Sequence, residues 1–97
     1  MFFHLSQPKY LPRIMMQRAG YTEFHDPNTG ETSYTRRLGT HFYPRFHIYI
    51  EDERDGLRVN LHLDQKQPSY AGFRKHSGEY GGEIVEKEME RIVGAVS

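Results

Sequence analysis

The chain has 97 residues, with 13 Lys and Arg balanced by 13 Asp and Glu, so its formal net charge is zero and exerts no general pull on nucleic acid or acidic membranes. It has no cysteine, which excludes disulfides, a thiolate nucleophile and a cysteine-type zinc site. Only 36% of its residues are hydrophobic and the mean hydropathy is −0.81, so one domain with a modest core is expected.

In chain order, Leu11–Ala19 reads as a short N-terminal helix. Pro12 suits the first helical position, Leu11, Ile14 and Met15 share a face, and Gly20 is a natural stop. Residues 21–25 and 31–38 are β-leaning and are joined by Asp26-Pro27-Asn28-Thr29-Gly30, whose composition favours a turn.

The clearest element is a second hairpin, Phe46–Gln65, with strands near 45–52 and 57–65. Phe46, Ile48 and Ile50 alternate with His47, Tyr49 and Glu51, and Val59, Leu61 and Leu63 alternate with Asn60, His62 and Asp64. An even loop around Asp55-Gly56 keeps all six apolar residues on one face. A two-residue loop, Asp55-Gly56, sets His47 opposite Asp64; a four-residue loop, Glu53–Gly56, sets His47 opposite His62.

Residues Lys66–Gly82 read as a 17-residue connection containing four glycines after Pro68. Tyr70 and Tyr80 are expected to anchor it, with a mobile Gly72–Gly78 tip. Glu83–Val96 then reads as an amphipathic helix whose stripe is Val85, Met89, Ile92 and Val96. The expected fold is α+β: a four-stranded, mostly antiparallel sheet of two hairpins, a C-terminal amphipathic helix on one face and the short N-terminal helix beside it.

The outward hairpin face gathers the residues with chemistry. His47, His62 and Asp64 fall within reach of one ion or water, and His76 could complete a set of ligands for a divalent metal such as zinc or manganese. Solvation or burial under the connecting loop would also account for a polar face of this kind. The leading functional expectation is a small binding module that holds a divalent metal or polar ligand there. As an enzyme it would use the same residues for metal-assisted hydrolysis.

An alternative is single-stranded nucleic-acid binding through Tyr70, Phe73, Arg74, Lys75 and Tyr80, where aromatics and bases interleave. Arg36, Arg37 and Arg45 could extend that basic surface. A plain protein-interaction domain and a homodimer fit the same composition.

Asp64-Gln65-Lys66 fits half of a metal-dependent nuclease signature. Its partner carboxylate, Glu51, would pair near Asn60, about 13 Å away along the strand, too far for one metal to bridge. No Gly-rich phosphate loop, Ser/His/Asp order signal or dinucleotide fingerprint occurs.

The run Phe42-Tyr43-Pro44-Arg45-Phe46-His47, with Leu61-His62-Leu63-Asp64-Gln65-Lys66 and His76-Ser77-Gly78-Glu79-Tyr80, resembles a family of small bacterial proteins without an assigned function. The resemblance covers about residues 20–92 and implies no catalytic or binding residue. The opening Met1-Phe2-Phe3-His4-Leu5 carries neither the basic region nor the apolar run of a secretory signal, and no stretch approaches the ~20 apolar residues of a membrane span. A soluble, cytoplasmic protein is expected.

Overall fold

The computed structural model describes the backbone of residues 1–65 and 77–97 and the side chains of residues 1–65 and 82–97. The elements are β1 (Phe2–Ser6), α1 (Pro12–Arg18), β2 (Thr22–His25), β3 (Thr32–Arg37), β4 (Arg45–Glu53), β5 (Gly56–Asp64) and α2 (Ser77–Val96). The architecture is α+β: one antiparallel sheet in the order β1-β5-β4-β3-β2, with helices on one face. No helix among the described residues is long and apolar enough to cross a membrane.

The sheet has five strands, not the four expected. The additional one is Phe2–Ser6, which pairs along β5 from Phe2↔Asn60 to Ser6↔Gly56. Without it, β5 would present an unpaired ladder edge next to the buried side chains of Leu57, Val59 and Leu61. The pairing continues to the chain start, where Leu61 N–H donates to the Met1 carbonyl at 2.7 Å and the Met1 ammonium donates to the Leu61 carbonyl at 2.9 Å. Leu5 is buried and Phe3 packs against the core, while Phe2, His4 and Ser6 point to the opposite face.

The second hairpin turns at Arg54-Asp55, with Glu53 paired to Gly56. The loop is even, as the apolar alternation requires, but Gly56 belongs to β5 rather than to the turn. A Cβ at Gly56 would fall on the Leu5 carbonyl oxygen. This glycine is needed because β1 approaches so closely, not because the hairpin must reverse.

α1 ends in a compact cap. Gly20 has φ +88°, and the N–H groups of Gly20 and Tyr21 donate to the carbonyls of Gln17 and Met16 at 3.0 and 2.8 Å. The cap turns the chain straight into β2 and seats Met15, Met16 and Ala19 in the core. Facing them on the sheet are Tyr34, Phe46, Ile48, Leu57, Val59 and Leu61, and on α2 Val85, Ile92 and Val96.

α2 begins at Ser77, six residues before the expected Glu83, so helical backbone replaces the last part of the expected 66–82 loop. Three glycines within Ser77–Gly82 made a helix look unfavourable, at about 1 kcal/mol each relative to Ala. The apolar stripe that follows gives the helix a firm anchor from which to extend. Residues 66–76, including the expected loop tip up to His76, lie outside the described residues.

Glu88 sits in the middle of that stripe and is 4% exposed. Arg91 grips its carboxylate with two hydrogen bonds of 2.8 and 2.9 Å, and the Tyr21 hydroxyl donates to it at 2.6 Å. Arg36 of β3 approaches at 3.4 Å, and Arg91 also donates to the Ala19 carbonyl at 2.6 Å. One carboxylate therefore ties α2 to the α1 cap, the start of β2 and β3. Burial alone would raise its pKa, but the hydrogen bonds from Arg91 and Tyr21 and the Arg36 charge outweigh burial and hold it below the usual carboxylate range. Burial, and then the adjoining carboxylate, push the Tyr21 phenol strongly upward.

Two outcomes follow for stability. Gly56→Ala should push β1 from its seat, at a cost of roughly 1–3 kcal/mol. Hydrogen exchange at β1 amides should then accelerate while β3–β4 amides stay protected; unchanged β1 protection would contradict the role given to Gly56. Glu88→Gln leaves two arginines without their counter-charge and should cost about 3 kcal/mol, the low end for a buried pair because Arg91 reaches solvent. Because the folded-state pKa of Glu88 is lowered, its contribution is complete above the ordinary carboxylate pKa and is lost as pH falls through the folded value. Urea titrations from pH 6 to pH 2 should show a stability difference between wild type and Glu88→Gln that shrinks in acid; a pH-independent difference would refute the assignment.

Candidate functional site

With one sheet face under the helices, the other carries the polar half of the central strands β4 and β5. Its central register sets His47 directly opposite His62, with Arg45 opposite Asp64 and Tyr49 opposite Asn60. This is the pairing expected of the longer of the two even loops, although a tighter turn closes it. Glu51 accordingly pairs with Arg58 rather than near Asn60. Six residues of β5 then separate it from Asp64, about 20 Å, which widens the gap that already disfavoured a nuclease site.

His47 is anchored at both ring nitrogens. Nδ1 lies 2.8 Å from Asp64 Oδ2, and Nε2 lies 2.8 Å from Ser33 Oγ. An ionised carboxylate only accepts, so Nδ1 carries the proton; in the neutral ring Nε2 then accepts from the Ser33 hydroxyl. The ring also stacks on Tyr49 at 4.7 Å, and Tyr49 meets His62 edge-on at 6.1 Å.

Ser33 was not anticipated. It is 3% exposed and belongs to the open face because β3 delivers its hydroxyl under the His47 ring. Only the β3–β4 register reveals the contact, and no local motif announces it. The chain Ser33–His47–Asp64 has the connectivity of a nucleophile relay. Ser33 is nevertheless buried in the middle of a strand, where neighbouring N–H groups belong to the ladder rather than to an oxyanion hole. What the chain does is set the His47 tautomer and fix the Asp64 carboxylate.

Asp64 lies at the lip of a cleft of about 470 Å³ lined by Tyr43, Leu63, Asp64 and Gln65. Arg45 Nε stands 3.6 Å from Asp64 Oδ2, buried and without a hydrogen bond among the described residues. The Arg45 guanidinium lies over Phe42 at 4.3 Å and Tyr43 at 5.2 Å. His62 is exposed, yet its imidazolium is disfavoured. Loss of solvent on its strand side comes first, then the Met1 ammonium; Asp64 pulls the other way and the His47 ring adds to the lowering. His62 therefore keeps a neutral nitrogen below its ordinary titration range.

The structure thus brings His47, His62 and Asp64 together, while His76 lies outside the described residues. Among the described residues no three His, Asp or Glu side chains form a metal-ligand set. Tyr70, Phe73, Arg74 and Lys75 also lie outside, and Tyr80 is described only as helical backbone. Arg36 does not extend an outer basic surface with Arg37 and Arg45, because it turns to the helix side and meets Glu88. Comparisons with protein-family models, curated proteins and solved structures find no match to this chain.

Proposed function

We propose that the protein is a small binding module that holds a divalent cation, or an equally compact cationic group, at the Asp64 end of β5. The observation that carries this reading is the doubly bonded His47 ring, which fixes Asp64 beside the cleft while His62 stands directly across from His47. Asp64 supplies the oxygen and His62 the neutral nitrogen. His47 stays behind them as a positioning residue, since ligating a metal would break one of its two hydrogen bonds. His76, singled out in the sequence, is the remaining candidate ligand.

Calorimetry with Zn²⁺ and Mn²⁺ tests the reading. Saturable binding is expected for the wild type and its loss for His62→Ala and Asp64→Asn. For His47→Ala the expected weakening is roughly 10-fold or more, because Asp64 is no longer held. Ligands must be deprotonated, so affinity falls in acid. With the His62 pKa lowered, the decline should set in below the ordinary histidine value of about 6.5 rather than at it. Equal heats for wild type and His62→Ala would remove the proposal.

A further inference from the structure

The open face is divided by charge. At the β4–β5 hairpin end, Glu51 lies 3.8 Å from Arg58 and Glu53 lies 2.9 Å from His4. Asp64 borders the opposite end and is taken up by His47. Within the β2 and β3 strands this face carries no acid, with Phe24 paired to Ser33, Thr22 to Thr35, and Arg37 to Arg45 of β4; acids border it at Asp26 and Glu31 in the joining turn and at Asp64 beside Arg45.

Two rings stand out of this half into solvent, Phe24 at 41% and Phe42 at 49% exposure. Phe24 is on β2 and Phe42 is in the β3–β4 connection, so they are separate platforms rather than one apolar patch. Two guanidiniums converge on the Phe42 ring, Arg45 at 4.3 Å and Arg37 at 5.1 Å from its centre. Asp64 already meets Arg45 at 3.6 Å, which leaves the exposed Arg37 as the guanidinium open to an external anion. A protein interface core favours continuous apolar area and is depleted of charge, which this half does not match. Planar groups alternating with anions do match it.

We propose that this half of the sheet binds single-stranded nucleic acid, with Phe24 and Phe42 stacking bases and Arg37 meeting the phosphates. Aromatic rings on an open antiparallel sheet present flat surfaces to unpaired bases, and arginines beside them take up the backbone charge. Binding would be tolerant of sequence, because every base has a stacking face. The surface adjoins the proposed Asp64–His62 ligand site at Arg45, which lies 3.6 Å from Asp64, but neither reading depends on the other.

Fluorescence anisotropy with labelled 12-nucleotide oligo-U and oligo-dT, in low and then moderate salt, tests the proposal. Saturable binding that weakens steeply with salt is expected. Arg37→Ala should lower affinity and make the slope of log affinity against log salt shallower by about 0.7, one phosphate contact on a single strand. Phe24→Leu keeps an apolar side chain but loses the stacking plane, and should weaken binding about tenfold. Arg54→Ala, at the exposed hairpin tip, is the control and should change nothing; thermal melting checks that each variant is folded. His62→Ala should retain oligonucleotide binding, so this proposal and the metal site fail separately. No binding at low salt, equal losses in Arg54→Ala and Arg37→Ala, or equally tight binding of heparin or duplex DNA would each overturn it.

Discussion

The fold depends on one buried carboxylate. Glu88 lies among Val85, Ile92 and the α1 cap, where a lone charge would cost several kcal/mol. Arg91, Tyr21 and Arg36 make it tolerable and in doing so fix relationships that apolar packing alone would leave loose. Leucine and methionine side chains pack acceptably in several orientations, whereas a carboxylate held by the Arg91 fork, a phenol and a second guanidinium does not. With α2, the α1 cap and β3 tied at one point, the helices cover one face of the sheet and the polar face is left to the other side.

That division of the sheet positions everything with chemistry. Because the helix face collects Phe46, Ile48, Val59 and Leu61, the alternation of each strand sends His47, Tyr49, Asn60 and His62 outward. The β1 strand completes the far edge and brings the Met1 ammonium near His62, where it disfavours the imidazolium. On the inner strands, β3 slips Ser33 beneath His47 and converts a solvent-facing imidazole into a fixed group that aims a carboxylate. Core packing and site geometry are thus two results of the same register.

Much of this was legible in the sequence, for identifiable reasons. Period-two alternation around Asp55-Gly56 confines the hairpin to even loops, and the outward set of His47, His62 and Asp64 follows from that alone. The stop at Gly20 and the turn at 26–30 were readable from residue chemistry. What was not legible depends on distant partners. Phe2–Ser6 lacks a clean alternation, since Phe2 and Phe3 are adjacent, and only the open edge of β5 recruits it. Gly56 looked like turn chemistry, but its reason is the Leu5 backbone. Ser33 has no significance until β3 and β4 are aligned. Glu88 stands three residues after Val85 and four before Ile92, so helical spacing already placed it on the apolar face; its donors Tyr21 and Arg36, distant in sequence, did not show.

The proposed site gives His47 the positioning role and His62 the binding role. Long-range ¹H–¹⁵N NMR of the histidine rings during a Zn²⁺ titration separates these roles directly. The account predicts that His47 carries its proton on Nδ1 throughout, while a ring nitrogen of His62 shifts to the value of a metal-bound imidazole. Movement of the His47 nitrogens with those of His62 unchanged would contradict it.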